Sequence, residues 1–386
     1  MSSRGGTRCL PRRLAPSCRA RLPAALVSQT LPRTSARSVG LATLVFVGAG
    51  RRQRHRGSQS RRRTARRASG GEAASASMPR RVSAAITTAS FAAAPAREVL
   101  AAAAPPATAS GAGAVPLTLS LGTCCLEGEA SAQQVAAGLA AGFRWIDTAS
   151  HYGNESDVAE GIRRAGLSRG DVSIITKVWF DDMGEAAPAA IRESLRKLGT
   201  DYVDLLLIHF PGGNDAVQDP TTNARLRELT WRALEDAKAA GSARQIGVSN
   251  YCRRHLKELL GYCRVPPAVN QIEVHPYFQQ VELVEYCRER GVQPMAFAPL
   301  ANGQLSLLKD TVLNDVAAAH GRTPAQVALR WLLDSGIPPV TFSDSPERLR
   351  EDIGALDFSL SAREIGRIAG LDKARGRLGF DPNLIA

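Results

Sequence analysis

The stretch RWIDTASHYGNE, residues 144–155, begins as an apolar strand and ends in a polar loop. The carboxylate of Asp147 comes directly after Trp145 and Ile146, and the phenol of Tyr152 follows five residues later. Burying a carboxylate at the end of an apolar strand is costly unless the carboxylate has a partner. This stretch therefore predicts a strand whose end needs a basic neighbour.

Seven other segments have the same short, apolar character, rich in Val and Ile, that is typical of parallel strands covered on both faces. The strand described above is predicted to span residues 143–148, and the seven others are residues 117–123, 172–179, 202–209, 244–250, 268–274, 294–300 and 340–343. Helical patterns with charged outer faces separate them, and each closes near a glycine. Strands alternating with helices over about 270 residues predict an α/β fold, the (β/α)8 TIM barrel.

The competing fold is a doubly wound sheet, which requires a GxGxxG turn after its first strand. The segment LSLGTCCLEGE does not supply that turn. Pro338 and Pro339 precede the last strand, which is therefore predicted to begin at about Val340, because proline cannot donate within a closed ladder.

The N-terminal region differs from the rest of the 386-residue chain in charge and complexity. Residues 1–110 carry twenty Arg, no Lys and two acids, so their net charge is +18, whereas the remainder is −5. This Arg-rich, Ser-rich, acid-poor composition is typical of an organelle transit peptide and of a disordered segment. We expect residues 1–112 to be a disordered targeting extension and residues 113–386 to be the barrel.

The composition also bears on location and partners. The apolar run at residues 38–50 is too short for a stable membrane anchor, but it fits the first part of a two-part plastid address. A mitochondrion is the second expectation, and the cytoplasm stays open. The basic runs lack interleaved aromatic residues, so no nucleic-acid partner is predicted. The cysteines show no CxxC spacing, so no metal site is predicted, and a monomer is expected.

Polar residues end six successive predicted strands. They are Thr123, Asp147, Lys177, His209, the pair Ser249 and Asn250, and Gln271. In (β/α)8 barrels the C-terminal ends of the strands meet at one rim, which carries the active site. The pattern predicts a functional site at that rim.

Four of these rim residues suggest acid catalysis. A lysine leaving an apolar strand is partly desolvated, and Asp147 on the neighbouring strand can pair with Lys177. The resulting cation is predicted to lower the pKa of Tyr152 and to make it a general acid. His209 can donate a hydrogen bond to the same substrate oxygen. Taken singly, each residue also has a structural interpretation: an ion pair, a packed tyrosine or a core histidine.

The motifs GFRWIDTASHYGNE, IITKVW, DYVDLLLIHFP, ARQIGVSNY, AVNQIEVHPY and AFAPL resemble those of the aldo-keto reductases, from about residue 115 to the C-terminus. The resemblance is to the smaller bacterial or plant-type members. It implies a barrel enzyme that reduces aldehydes or ketones with NADPH. It also implies a catalytic tetrad of Asp147, Tyr152, Lys177 and His209.

The resemblance further implies a cofactor site. Its predicted residues are Thr123 and Asp147 near the ribose, Ser249, Asn250 and Gln271 at the carboxamide, Phe297 stacked on the nicotinamide, Leu300, and Ser343, Arg348, Glu351 and Asp352 towards the adenine end. Phe342 replaces the lysine that faces the 2′-phosphate in the family, and Asp352 replaces an asparagine. NADPH is the first expectation, with NADH or dual use second.

The substrate pocket is predicted to include Cys124, Trp179 and Phe210. Cys124 stands where the family often has tryptophan, and Cys124 and Cys125 are interpreted either as small buried residues or as redox-sensitive thiols. The short C-terminal tail favours an open site for small aldehydes, ketoaldehydes or sugar carbonyls. Two alternatives remain open: a Schiff-base aldolase using Lys177, and a non-catalytic barrel that senses the cofactor or serves a structural role.

Overall fold

The computed structural model describes residues 115–212, 219–373, 376–379 and 381–386. The predicted targeting extension, residues 1–112, lies outside the described residues. So do the first two residues of the predicted barrel segment. The prediction of a disordered leader therefore stays a prediction.

Parallel strands in chain order form a closed barrel. They are β1 (Ser120–Gly122), β2 (Trp145–Asp147), β3 (Ser173–Val178), β4 (Val203–Ile208), β5 (Ala243–Ser249), β6 (Val269–Glu273), β7 (Gln293–Phe297) and β8 (Pro339–Thr341). The last strand closes on the first, with Leu121 opposite Thr341. This confirms the predicted (β/α)8 barrel and places all the strand ends at one rim.

Helices cover the outside of the barrel. They are α1 (Gly128–Ala141), α2 (Glu155–Arg164), α3 (Ala187–Leu198), α4 (Pro220–Ala239), α5 (Arg253–Tyr262), α6 (Val281–Arg288), α7 (Thr311–His320), α8 (Pro324–Asp334), α9 (Pro346–Ile353) and α10 (Ala362–Ala369). Gly142 and Gly199 end α1 and α3 in the left-handed conformation, as a glycine C-cap does. Helices α7, α9 and α10 were not among the predicted helical patterns.

Alternate strand residues pack on opposite sides of the barrel wall. Ile174 and Leu206 join the large core cluster beneath the helices, whereas Ile175 and Leu207 join a second cluster with Met295. The second cluster draws on strands all round the barrel, so it fills the interior. Both faces of the barrel sheet are covered, and the strand sequences are therefore continuously apolar rather than alternating.

Gly247 on β5 shows how closely the interior is packed. A Cβ atom there would lie 2.6 Å from the Val269 carbonyl oxygen and 2.9 Å from Leu207 Cδ2. A larger residue would force the strands apart, so the site requires glycine for close approach rather than for an unusual φ.

The predicted strand limits differ from the observed ones by one to three residues, and two of these differences have a clear cause. β8 begins at Pro339 rather than Val340, because a proline is tolerated as the first residue of a strand, and the Pro338 carbonyl accepts from Ala296 N at 2.9 Å. β7 ends at Phe297 rather than Leu300. Ala298 has a φ of 49°, which turns the chain out of the sheet.

Candidate active site

A buried ion pair joins the ends of β2 and β3. Lys177 Nζ donates to Asp147 Oδ1 at 2.5 Å and to the Thr148 carbonyl oxygen at 2.9 Å. Lys177 and Asp147 are 1% and 3% exposed. Because an unpaired buried charge is strongly unfavourable, each of these two residues needs the other at this position. The sequence expectation that Asp147 partners Lys177 agrees with this geometry.

The same carboxylate begins a hydrogen-bond network around the rim. Gln271 Nε2 donates to Asp147 Oδ2 at 2.7 Å, and Ser249 Oγ donates to the Gln271 carbonyl at 2.9 Å. Asn250 Nδ2 donates to Ser249 Oγ at 3.1 Å and to the His209 carbonyl at 3.0 Å. The strand-end residues of β2, β4, β5 and β6 are thus one connected group, and the ion pair adds β3.

Tyr152 lies over this group on a single 3-10 turn, Ser150–Tyr152. Lys177 Nζ is 5.1 Å from the centre of the phenol ring, and the imidazole of His209 is edge-on to that ring at 5.6 Å. Ser150 Oγ donates to the Lys177 carbonyl at 3.1 Å, which holds the turn against β3. The four predicted tetrad residues therefore meet at one place.

The predicted direction of the Tyr152 pKa was wrong. Burial raises the pKa of the phenol well above its usual value, and the negative charges of Asp147, Cys124 and Cys125 raise it further. The prediction gave Asp147 only the task of holding Lys177, whose cation would lower the pKa of the phenol. Desolvation of the ring and the direct effect of the Asp147 carboxylate act in the opposite direction. The phenol is accordingly held in its protonated form.

His209 is held in its neutral form. Burial lowers the pKa of its imidazole well below the usual value, and the nearby charges of Lys177 and His151 lower it further. A neutral imidazole keeps one N–H donor and one acceptor nitrogen. It can therefore donate to a carbonyl oxygen without bringing a positive charge to the site.

An aromatic wall lies beside His209. Trp179 is 4.9 Å from the His209 ring and 6.4 Å from the Phe210 ring, both edge-on. The ring of His151 stacks on that of Trp179, with a centroid distance of 3.7 Å and an interplanar angle of 10°. The predicted pocket residues Trp179 and Phe210 are thus adjacent to the tetrad. His151 received no role from the sequence, although its place directly before Tyr152 was the available signal.

The residues predicted to hold the nicotinamide carboxamide fit that role chemically. Within the described chain, Asn250 Oδ1 and Gln271 Oε1 accept no hydrogen bond, so both keep an acceptor for an amide N–H. Thr123 is buried, and its Oγ1 donates to the Asp147 carbonyl at 3.1 Å. Phe297 and Leu300 are half-buried, at and just beyond the end of β7.

The predicted adenine end contains an acid that the sequence reasoning missed. Arg348 Nε donates to Ser343 Oγ at 3.0 Å, while Arg348 NH2 donates to Asp344 Oδ1 at 2.5 Å. Phe342 is 41% exposed beside them. The guanidinium expected to grip a 2′-phosphate therefore has a competing carboxylate. The signal was the acid four residues before Arg348, at helical spacing.

Asp352 and Glu351 are held by contacts with neighbouring elements. Asp352 is buried and accepts from Thr341 Oγ1 at 2.8 Å, and burial raises the pKa of its carboxyl to about 6. The Glu351 carbonyl accepts from Gln326 Nε2 at 2.7 Å. The sequence argument treated Asp352 as an added anion facing the cofactor. The structure directs this carboxylate towards β8 and leaves Asp344 as the exposed anion.

The described residues contain no cluster of three or more His, Cys, Asp or Glu arranged to bind a metal ion. None of the helices in this part of the chain combines the length and the apolar character that crossing a bilayer requires.

The fold and the rim define a (β/α)8 barrel protein in which a buried lysine and carboxylate and a half-buried phenol and imidazole converge at the C-terminal ends of the strands. The model of the Aldo/keto reductase family matches residues 118–373, and the chain belongs to that family.

Characterised relatives are similar over the whole barrel. The chain is 40% identical to the glyoxal reductase of Bacillus subtilis (strain 168) over 257 residues, which is 66% of this chain and 88% of that protein. It is 38% identical to 2,5-diketo-D-gluconic acid reductase B of Corynebacterium sp. (strain SHS752001) over 256 residues, 66% of this chain and 89% of that one.

One solved structure of a relative contains a cofactor. A variant of Gox0644 in complex with NADPH superposes with a TM-score of 0.63 at 34% identity, covering 69% of this chain and 93% of that one. Family membership and the named reductases make this protein an NAD(P)H-dependent oxidoreductase of a family that acts on the carbonyl groups of small molecules.

Proposed function

We propose that the protein reduces small aldehydes, ketoaldehydes or sugar carbonyls to alcohols with NADPH, and that Tyr152 is the proton donor. The observation that carries this proposal is the convergence of Tyr152 with the Asp147–Lys177 pair and the neutral His209 at one rim. The substrates in the names of the two relatives, a glyoxal and a diketo acid, agree with this substrate class.

Each tetrad residue has a defined task. The N–H of neutral His209 orients the carbonyl oxygen, and Tyr152 donates its proton to that oxygen as negative charge develops. The Lys177 ammonium stabilises the phenolate that remains. Asp147 holds Lys177 in place at 2.5 Å. The reduced nicotinamide, when bound, supplies the hydride, and Ser249, Asn250, Gln271 and Phe297 are the residues that would hold it.

The raised pKa of Tyr152 is compatible with this task. A general acid must be protonated before the reaction, and burial keeps the phenol protonated. An alkoxide is a much stronger base than a phenolate, so proton transfer to a developing alkoxide is favourable even from a phenol whose pKa is raised. Efficiency then depends on the Lys177 cation, which stabilises the phenolate only after the proton has left.

NADPH is favoured over NADH by Ser343 and Arg348, which can bind a phosphate as a hydrogen-bond donor and a bidentate cation. Phe342 and Asp344 weaken this preference, because one replaces a cation and the other pairs with Arg348. We therefore propose NADPH as the main cofactor with measurable use of NADH.

The aldolase alternative is disfavoured by the position of Lys177. Its Nζ is enclosed and bound to both a carboxylate and a carbonyl oxygen. A Schiff base requires an unprotonated amine that reaches the substrate. A non-catalytic barrel remains the outcome to exclude by experiment.

The purified protein should be mixed with NADPH or NADH and with glyoxal, a ketoaldehyde or an aldose, while nicotinamide absorbance is followed. We expect oxidation of NADPH with each carbonyl class and slower oxidation of NADH. Tight binding of NADPH without turnover of any carbonyl would support the sensing alternative. Borohydride trapping of substrate on Lys177 would support the aldolase.

We also propose that residues 1–112 direct the protein to the plastid and that the barrel is a monomer. The support is the arginine-rich, acid-poor composition of these residues and the apolar run at residues 38–50. A fluorescent protein fused to residues 1–112 should accumulate in plastids. Accumulation in mitochondria or the cytoplasm contradicts the proposal. Light scattering of the purified protein tests the monomer.

A further inference from the structure

Two adjacent cysteines lie in the loop after β1, at the same rim as the tetrad. Cys124 Sγ and Cys125 Sγ are 2.6 Å apart, which is about 0.6 Å beyond a covalent S–S bond. Cys125 is exposed and Cys124 is partly exposed. A soluble oxidant can therefore reach this pair directly.

The backbone of Cys125 explains why the two thiols meet. Successive side chains along an extended chain point in opposite directions. Cys125 has a φ of 74°, in the left-handed region that a non-glycine residue rarely adopts. This conformation turns its side chain back towards Cys124. The sequence alone gave only the CC dipeptide; the chain geometry places the two sulfur atoms together.

A bond between neighbouring cysteines would be easy to reduce. Consecutive Cα atoms are about 3.8 Å apart, which is shorter than the separation of about 4.4–6.8 Å found in ordinary disulfides. Such a strained link has a higher reduction potential than a structural disulfide and belongs to the labile, regulatory kind. Formation of a disulfide between Cys124 and Cys125 would therefore be reversible.

The loop that carries the two thiols is tied to the Tyr152 loop. Asn154 Nδ2 donates to the Thr123 carbonyl at 2.7 Å and to the Leu126 carbonyl at 2.8 Å, on either side of the cysteine pair. Asn154 Oδ1 accepts from Thr148 Oγ1 at 2.9 Å. Since Asn154 is fully buried and follows Tyr152 by two residues, a change in backbone between Thr123 and Leu126 reaches the phenol.

The electrostatics place the thiols near the same phenol. Negative charge on Cys124 and on Cys125 contributes to the raised pKa of Tyr152. This effect requires that both sulfur atoms lie near the phenol.

We propose that Cys124 and Cys125 are a reversible oxidation site that accepts a hydroperoxide as oxidant and an external dithiol as reductant. In the form with a Cys124–Cys125 disulfide, Tyr152 is displaced and the enzyme is less active. The oxidation chemistry stands by itself, whereas the loss of activity rests on the function proposed above.

The oxidation is balanced. A Cys125 thiolate attacks the hydroperoxide, so that an S–O bond forms and the O–O bond breaks; the departing oxygen leaves after protonation as water from hydrogen peroxide, or as an alcohol from an organic hydroperoxide. The Cys124 sulfur then attacks the sulfenic sulfur, so that the S–S bond forms and the second oxygen leaves as water. Two thiols are oxidised and one hydroperoxide is reduced. A dithiol reverses the change by exchange and becomes a disulfide itself.

The first experiment measures the site without reference to activity. The purified full chain is treated with hydrogen peroxide, and the peptide that contains residues 124 and 125 is mapped by mass spectrometry. We expect this peptide to lose two hydrogen atoms and to regain them with dithiothreitol. Addition of oxygen atoms to this peptide, or no change in its mass while other cysteines react, overturns the proposal.

The second experiment compares two variants. Cys125→Ser removes one thiol of the pair, and Cys263→Ser removes a partly exposed cysteine elsewhere. Peroxide should lower carbonyl reduction by wild type and by Cys263→Ser roughly 10²-fold, as expected when a catalytic group is misplaced by about 1 Å. The Cys125→Ser variant should reduce carbonyls at the same rate before and after treatment with peroxide.

The two proposals fail in different ways. Formation of the Cys124–Cys125 disulfide without a change in the rate of carbonyl reduction overturns the regulatory role and leaves the proposed reductase function intact. A protein without carbonyl reduction in either redox state overturns the proposed function, and the mass measurement still decides whether the oxidation site exists. Equal loss of activity in Cys125→Ser and wild type also contradicts the regulatory role.

Discussion

The ammonium group of Lys177 lies inside the protein, where an unpaired charge would be strongly destabilising. Its partners, the carboxylate of Asp147 and the carbonyl of Thr148, both come from the segment that leads into Tyr152. Ser150 Oγ adds a bond to the Lys177 carbonyl. Lys177 therefore both stabilises the fold and positions the phenol of Tyr152, and these two roles can be separated by mutation.

Lys177→Met should lower the free energy of unfolding by about 3–5 kcal/mol, because it leaves Asp147 buried without its cation. The double variant Asp147→Asn with Lys177→Met should recover most of that stability, since the buried charge is gone. Neither variant should reduce carbonyls. Denaturant unfolding and NADPH oxidation are the two measurements. Substantial turnover in the double variant would mean that the pair is only structural.

Asp352 makes stability depend on pH. Burial raises the pKa of this carboxyl to about 6 from an ordinary value of 3.8. The folded state therefore binds a proton more tightly than the unfolded state. The stability that this group contributes is full below pH 3.8 and is lost as pH rises to about 6.

Asp352→Asn should remove this loss and keep an oxygen that can accept from Thr341. The variant's advantage in unfolding free energy should grow between about pH 4 and 6 and then level off, at no more than about 3 kcal/mol. Urea unfolding at several pH values measures it. An advantage that shrinks as pH rises contradicts the assigned burial of the carboxyl.

At the scale of elements, the proposed cofactor preference rests on the loop between β8 and α9. It carries Phe342, Ser343 and Asp344, and α9 begins directly after it with Ser345 as the N-cap. Arg348, in the first turn of α9, pairs with Asp344 at 2.5 Å. A phosphate therefore has to compete with a carboxylate already present on the same loop.

Phe342→Lys should lower the Kd for NADPH by roughly tenfold, equivalent to about 1.4 kcal/mol, because it adds a cation to the 2′-phosphate site. The Kd for NADH should stay nearly constant. Asp344→Asn is a matched variant that frees Arg348 without adding a cation, and it should act in the same direction. Fluorescence titration with both cofactors measures this. Equal effects on the two cofactors would place this loop away from the 2′-phosphate.

The sequence predicted the features that depend on strand periodicity. Eight apolar runs gave the barrel, and the polar residues ending six of those runs gave the rim, because parallel strands bring their C-terminal ends together. The ion pair of Asp147 and Lys177 followed from adjacency of β2 and β3 in the same way. These inferences needed only the order of the strands along the chain and the spacing of their apolar residues.

Other features required distances that the sequence does not contain. The pKa of Tyr152 depends on how much of the ring is covered and on thiols 27 and 28 residues earlier in the chain. The contact between Cys124 and Cys125 depends on a single positive φ.

At the scale of the whole molecule, the closed barrel makes the site possible. The rim network takes side chains from strands that are separated by more than a hundred residues, as in the 2.7 Å bond between Asp147 and Gln271. Closure of β8 on β1 fixes these strands relative to one another. Tyr152 lies on a loop outside the barrel wall, so its placement depends on the strands and on the tied loop after β1 alike.

The most direct test compares Tyr152→Phe with wild type in NADPH binding and in glyoxal reduction. Phenylalanine keeps the ring that packs beside Lys177 and His209 and removes only the hydroxyl. The Kd for NADPH should stay unchanged and kcat should fall by roughly 10²–10⁴-fold, the range for loss of a general acid. A kcat equal to that of wild type would contradict the assignment of Tyr152 as the proton donor.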